Sequence, residues 1–302
     1  YDSGPTIGVI TVAGTIVRGD SDSSVGADTI GAGTIARALR EARDAKVKGI
    51  LLRIDSPGGS YVASDVARRE VEVTRNAGIP VVVSMGSVAA SGGYFIAMDG
   101  DWIVAEPTTI TGSIGVYAGG FAIRDALSKW LGITVDSYDA TPNAHAFSAT
   151  EPFDATRLAV LKSGADRVYE DFVAKVAARR KKDVSTIDAV AHGRVWAGRA
   201  ALERGLVDEL GGFSTALARL RERAGLADAA QVTLTDYPAK RTVLDNVREV
   251  LTRGSFAGLL GKPDIVGALQ PSVRGPARAV LQALISDQSG IMMALPAQPY
   301  VW

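Results

Sequence analysis

Two short apolar runs restrict the folds open to this chain. Gly49-Ile50-Leu51-Leu52-Arg53-Ile54 and Pro80-Val81-Val82-Val83 lack the alternation of a strand with one wet face. Such runs read as parallel strands covered on both sides. Between them Val62, Val66 and Val73 mark a helix, closed by Gly78. Upstream, Thr6 to Ile16 is rich in Val, Ile and Thr and reads as a strand, followed by a polar loop over Gly19 to Gly33. Ile35, Ala38, Leu39 and Ala42 then follow helical spacing, with Arg37, Arg40, Glu41 and Arg43 on the wet face. Trp102-Ile103-Val104 reads as a further strand. Repeated strand–helix–strand alternation makes the class α/β, with right-handed crossovers.

The second half is more helical. The pattern predicts a helix around Ile123 to Trp130, a strand near Ile133 to Tyr138 and a loop over Asp139 to Phe153. A long amphipathic helix follows from about Asp154 to Arg180, buried along Leu158, Leu161, Val168, Phe172 and Val176. Arg179-Arg180-Lys181-Lys182 reads as its solvated end, favourable at the negative pole of the helix dipole. Further helices are expected at Arg199 to Arg204 and Thr215 to Arg223. Past Tyr237 the character shifts, with helical spacing at Val243, Val247, Val250 and Leu251 and again from Ala277 to Ile285. Seven Lys/Arg stand there against four Asp/Glu. This places a main domain over residues 1–236 and a helical extension over 237–302, suited to packing or subunit contact, with contact to a membrane surface as the alternative.

Composition removes several classes of function. The formal net charge is +0, so bulk electrostatics do not favour nucleic acid. The absence of Cys excludes disulfides and thiolate chemistry, and 2 His make an imidazole-based zinc site untenable. No uncharged apolar run reaches 18 residues, so neither a transmembrane helix nor a signal peptide is expected. The abrupt opening at Tyr1, entering a strand by Ile7, fits a portion of a longer protein.

Chemistry concentrates at two turns. After the Val81-Val82-Val83 strand comes Ser84-Met85-Gly86-Ser87-Val88-Ala89-Ala90-Ser91-Gly92-Gly93-Tyr94-Phe95, which sets Ser91 among small residues ahead of a helix. Alone, this is as readily a turn whose serine caps the helix. The second turn, Asp55-Ser56-Pro57-Gly58-Gly59-Ser60, also follows a buried strand. Acyl transfer needs a nucleophile, a base and donors for an oxyanion. Two such turns on neighbouring strands can converge on one crevice at the carboxyl ends of the sheet. Ser91 would then be the nucleophile and the N–H groups of Gly59 and Gly92 the oxyanion donors. Tyr94 and Phe95 read as core, with pocket lining as the alternative.

These motifs, together with Thr109-Ile110-Thr111-Gly112-Ser113-Ile114-Gly115, Gly193-Arg194-Val195-Trp196-Ala197-Gly198 and Gly205-Leu206-Val207-Asp208, resemble signal peptide peptidase A, a family related to the Clp protease. The similarity covers nearly the whole chain and follows the C-terminal half of the long, two-half bacterial form. The resemblance implies a Clp/crotonase-like fold of repeated β-β-α superhelical units and a serine–lysine dyad peptidase. It also implies an oligomer at the periplasmic face of the bacterial inner membrane that degrades released signal peptides without metal or organic cofactor. By position, Ser91 matches the nucleophile, Gly59 and Gly92 the oxyanion positions, and Ser113 a hydroxyl that orients the lysine amine.

The lysine is missing from the matching loop, which reads Asp139-Ala140-Thr141-Pro142-Asn143-Ala144-His145-Ala146-Phe147-Ser148. In the long form the N-terminal half contributes it, so the base is expected from such a half or from a neighbouring protomer. His145 has a side chain suited to proton transfer but reads as a surface residue, and His192 as structural. Lys129 and Lys162 fall in amphipathic helices and read as solvated. Two other functions stay open on the residues: a crotonase-like acyl-CoA enzyme, and a non-catalytic peptide-binding or assembly half.

Overall fold

The computed structural model describes residues 4–21, 28–119, 122–138, 141, 148–150, 154–227, 231–239 and 291–293. The chain enters as β1 (Thr6–Ala13), breaks at Gly14, where φ is 84°, and continues as β2 (Thr15–Val17). The single strand expected from Thr6 to Ile16 is thus two. An added Cβ at Gly14 would lie 2.3 Å from the Asp28 carbonyl oxygen, so only glycine fits this corner. β3 (Thr29–Gly31) leads into α1 (Ala32–Asp44), then β4 (Gly49–Ser56), β5 (Gly59–Ser60) and α2 (Tyr61–Asn76). β6 (Val81–Ala90) runs into α3 (Gly92–Ala97), followed by β7 (Trp102–Ala105), β8 (Ile110–Gly112) and β9 (Tyr117–Ala118).

Next come α4 (Arg124–Leu131), α5 (Ala155–Arg180), α6 (Val184–Asp188), β10 (Val195–Ala197) and α7 (Gly198–Glu203). β11 (Glu209–Leu210), α8 (Phe213–Arg223), β12 (Thr233–Tyr237) and β13 (Ile291–Met293) complete the described elements. The helical patterns expected over 243–251 and 277–285 lie outside the described residues.

The main sheet has the order β10-β8-β6-β4-β1-β12, with β7 on β6 and β11 on β7. Every neighbouring pair is parallel except β10 with β8. The fold is therefore mixed α/β around a largely parallel sheet. Both faces are covered. Ile50, Leu52 and Ile54 pack with α1, α2, α3 and α5 residues including Leu39, Val71, Phe95 and Phe172, while Ile7, Leu51, Val82 and Val104 pack with Ala216 and Leu220 of α8. That double cover is why these strands are apolar at nearly every position. A second sheet has the order β3-β2-β5-β13-β9.

Several elements differ from the sequence expectations for identifiable reasons. β6 extends through Ser84 to Ala90, residues with weak strand propensity, because β4 pairs along it while β7 and then β8 take its other edge. α2 turns Ala63, Ser64, Ala67 and Val71 inward and leaves Val62 and Val66 42% and 45% exposed. It passes so close to α3 that a Cβ on Gly92 would sit 2.4 Å from Ser64 Oγ, which leaves room only for small side chains. Residues 133–138 form no strand: among the described residues none pairs with them, and Ile133 and Tyr138 are exposed.

On α5, Asp154 caps the N-terminus by accepting from Arg157 N at 2.7 Å, and Leu161, Val168, Phe172 and Val176 are buried as expected, whereas Leu158 is exposed. The basic end of α5 is not simply solvated. Arg179 pairs with the buried Asp99 at 2.9 Å, and Arg180 grips Asp208 through two bonds of 2.6 and 3.1 Å. Buried or structurally committed carboxylates therefore hold both arginines.

Candidate active site

β4 and β6 end side by side, and their ends build the site. Between them the register slips: Ile54 faces Met85, but Ser56 faces Ala89. β6 bulges over Gly86 to Val88, and Asp55 braces the bulge by accepting from Val88 N at 3.0 Å. A Cβ on Gly86 would lie 2.7 Å from the Asp55 carboxyl carbon, so the brace needs glycine there. Thr109 Oγ1 donates to the Gly86 carbonyl at 2.8 Å from the far side.

The Asp55–Ser60 turn is equally constrained. Ser56 Oγ donates to the Gly14 carbonyl at 2.6 Å and accepts from Gly58 N at 3.1 Å. Ile16 N donates to the Gly58 carbonyl at 2.8 Å, which joins the turn to β2. Gly59 has φ 154°, and a Cβ there would meet Ile16 O at 2.1 Å. Only glycine holds that path.

Ser91 sits between β6 and α3 at φ 51° and ψ −117°. This is glycine territory, costing a non-glycine residue about 1–3 kcal/mol. The backbone is held there because Ser91 N donates to Gly112 O at 2.8 Å and Phe95 N donates to Ser91 O at 2.8 Å. The residue is wholly buried, and among the described residues its Oγ has no hydrogen-bond partner. It does not cap α3, so the capping role open in the sequence is excluded. Native folds satisfy nearly all buried hydroxyls, so an orphan in a strained backbone makes Ser91 a candidate for function.

The two turns meet. A Cβ on Gly92 would lie 3.2 Å from both Gly58 Cα and Gly59 N. Ser91, Gly92 and Gly59 are thus one constellation. Ser113 joins it through β8, since Ala90 faces Gly112 and Ser91 N bonds the Gly112 carbonyl. Ser113 is buried, holds φ 50°, and donates its N–H to Arg194 O at 2.8 Å. The Gly193–Gly198 segment therefore acts here as a backbone clamp on the Ser113 turn.

The other sequence candidates are elsewhere or committed. Lys162 is 76% exposed and pairs with Asp166 at 2.6 Å, and Lys129 is exposed on α4. His192 stacks on Tyr169 and shares Asp188 with it: Tyr169 OH donates to Asp188 at 2.6 Å, and His192 Nε2 lies 3.2 Å from the same carboxylate. That contact holds the Asp188 carboxyl below its usual range, the Tyr169 hydrogen bond being the main cause. His145 lies outside the described residues. Tyr94 and Phe95 are core: Tyr94 OH donates to Leu206 O at 2.8 Å, and Phe95 packs edge-on against Phe172. Burial pushes the Tyr94 phenol above its ordinary value. Sequence reading missed Asp55, Ser64 and Arg194, which act through a brace, a close approach and a backbone carbonyl that spacing does not reveal.

The model for peptidase family S49 matches residues 73–227, the span from α2 through the Ser91 turn to the end of α8. The chain belongs to peptidase family S49. Among S49 relatives, Protease 4 of Salmonella typhi is 40% identical over 90% of this chain and 42% of its own length. Protease 4 of Haemophilus influenzae is 36% identical over 83% of this chain and 40% of its own. The chloroplastic serine protease SPPA of Arabidopsis thaliana is 35% identical over 80% of this chain and 36% of its own. The chain spans about two-fifths of the length of these S49 relatives, in keeping with the signal peptide peptidase A resemblance of its motifs.

Proposed function

We propose that this chain is the nucleophile-bearing half of a serine–lysine endopeptidase. The observation that carries the proposal is the buried, unpartnered Ser91 hydroxyl, held in a strained backbone against the Gly58–Gly59 turn. Ser91 Oγ attacks the scissile carbonyl, and its proton passes to a lysine amine. The N–H groups of Gly59 and Gly92 hold the oxyanion. As the C–N bond breaks, the lysine returns the proton to the leaving nitrogen, and water then hydrolyses the Ser91 ester. The lysine comes from an N-terminal half or a neighbouring protomer, with the Ser113 hydroxyl orienting it. A serine without a base is a poor nucleophile, so the isolated chain has little activity.

Extended apolar peptides such as released signal peptides are the proposed substrates, and no metal or organic cofactor takes part. Protease names among the relatives and the parallel α/β core support this reading. The finer features belong to the same proposal: β-β-α superhelical units of the Clp/crotonase kind, a homo-oligomer, a helical extension over 237–302 and a site at the periplasmic face of the inner membrane. No helix among the described residues is long and apolar enough to cross a membrane.

A fluorophosphonate probe, applied with and without a lysine-bearing N-terminal portion, tests the proposal. Labelling confined to Ser91 and accelerated by the added portion is expected. Absence of labelling in the folded assembly, or full peptidase activity in a folded Ser91→Ala protein, would overturn it.

A further inference from the structure

The strain at Ser91 is anchored on the far side of β8. Ser91 N donates to Gly112 O, the carbonyl at the end of that strand. Gly112 and Ser113 both take left-handed φ, 77° and 50°, so the chain kinks there over two consecutive residues. Serine reaches that region only at a cost, and the kink persists because its surroundings impose it. Those surroundings are β10, which runs antiparallel to β8 with Val195 opposite Gly112 and Trp196 opposite Thr111. Ser113 N donates to Arg194 O at 2.8 Å. The Trp196 indole leans on Gly112 itself: a Cβ there would meet Trp196 Cδ1 at 2.9 Å and Arg194 O at 3.2 Å. The ring fills the space that a side chain at 112 would take.

The ring is itself fixed twice. Trp196 Nε1 donates to Val190 O at 3.0 Å, just beyond α6. The Arg204 guanidinium lies 3.8 Å from the ring centroid, a stacking distance, and donates to Ala200 O at 2.9 Å. From outside inward the order is therefore Arg204, Trp196, Gly112, Ser91.

We infer that Trp196 is a positioning residue for Ser91: its indole, pinned by Val190 and covered by Arg204, keeps the Gly112–Ser113 kink and so aims the carbonyl that holds Ser91 in its strained backbone. The chemical consequence rests on the proposed reading of Ser91 as nucleophile; the mechanical link does not. Without the ring, the Gly112 carbonyl is free to turn, and Ser91 relaxes to an ordinary φ with its hydroxyl off line. A displacement of about 1 Å at a reacting group costs on the order of a hundredfold in rate.

The first test is a cycle of urea unfolding. Ser91→Gly removes the strain, so it should raise the urea midpoint of the parent chain. In Trp196→Ala the strain is already released, and Ser91→Gly should leave the midpoint where it is. A role in packing alone would give the same rise in both backgrounds, since independent contributions add. The second test is fluorophosphonate labelling in the assembly with the lysine-bearing portion, without urea. Trp196→Ala should slow labelling of Ser91 by about a hundredfold. Trp196→Phe, which keeps a flat ring against Gly112, should recover most of the parent rate. Leu220→Ala, which opens a cavity under α8 on the other face of the sheet, should lower the midpoint without slowing labelling. Should Trp196→Ala not fold, Trp196→Leu replaces it in both tests, keeping apolar volume without the plane.

An equal rise in midpoint in both backgrounds, no rise in the parent chain, or labelling of Trp196→Ala as fast as that of Leu220→Ala would overturn the inference and leave the peptidase reading intact. If Ser91 labels in no variant, the peptidase reading falls, and the midpoint cycle alone decides whether Trp196 holds Ser91.

Discussion

At Ser91 the backbone geometry and the chemistry can be separated by substitution. Glycine there relieves about 1–3 kcal/mol of conformational cost and removes an unpaired buried hydroxyl, against about 0.5–1 kcal/mol of extra unfolded-state entropy. Ser91→Gly is therefore expected to unfold at higher urea, with a net gain of about 1 kcal/mol, while losing all reaction with a fluorophosphonate. A less stable Ser91→Gly protein would mean that the φ of 51° is not strained. Gly92→Ala makes a different prediction. Its Cβ meets Ser64 Oγ at 2.4 Å and lies 3.2 Å from Gly59 N, prising the two turns apart. Labelling of Ser91 should fall by about a hundredfold, the scale of a lost oxyanion donor. Adding Ser64→Ala should recover stability without recovering labelling, because the contact with the Gly58–Gly59 backbone remains. Residue identity at both turns was legible in the sequence, since few residues but glycine and serine suit such paths. The orphaned hydroxyl, the Asp55 brace and the Ser64 approach were not, because each depends on where another element passes.

Among the elements, α8 is held to the sheet by its apolar face and, at one end, by a carboxylate that acid can release. Glu209 accepts from Arg219 at 2.6 and 3.1 Å and from Trp102 Nε1 at 3.0 Å, and the Arg219 hydrogen bond chiefly holds its carboxyl below the ordinary value. A carboxylate with a lowered folded-state pKa stabilises the fold above its unfolded pKa, and that contribution is lost as pH falls through the folded value. Trp102 emission should therefore shift as pH drops below the ordinary glutamate range of about 4.3. In Glu209→Gln this part of the titration should vanish; a shift that persists there belongs to another group. α8 and the apolar strands were readable because their patterns are local. β10, β11 and β13 were not, for two or three residues carry no period and are strands only through their partners. On α2 the helical spacing was found but its buried face was not, because valine was weighed as the inward residue where the approach to Gly92 admits only alanine and serine.

For the whole molecule, the Gly205–Asp208 segment ties α5, α3 and β7 together. Asp208 accepts from both Arg180 nitrogens and from Ile103 N at 2.8 Å, while the Leu206 carbonyl takes the Tyr94 hydroxyl. Asp208→Ala takes the carboxylate from a largely buried guanidinium, which keeps its Nε bond to Gly205 O at 2.8 Å, and removes the partner of the Ile103 amide; stability should fall by about 3 kcal/mol in urea unfolding. A loss under about 1 kcal/mol would show that the tie is replaced by water. Class and sheet direction were legible at this scale because a doubly covered strand must be apolar throughout. The order of strands was not, since it is written only in pairings. One pairing governs how the molecule can be made. β1 lies between β4 and β12, with Thr6 facing Thr233. During synthesis the first strand can find β4 early, but its other edge waits until residue 237 has emerged. For that interval the nascent chain carries an unpaired strand edge, the kind of edge that can pair with another chain until β12 closes it.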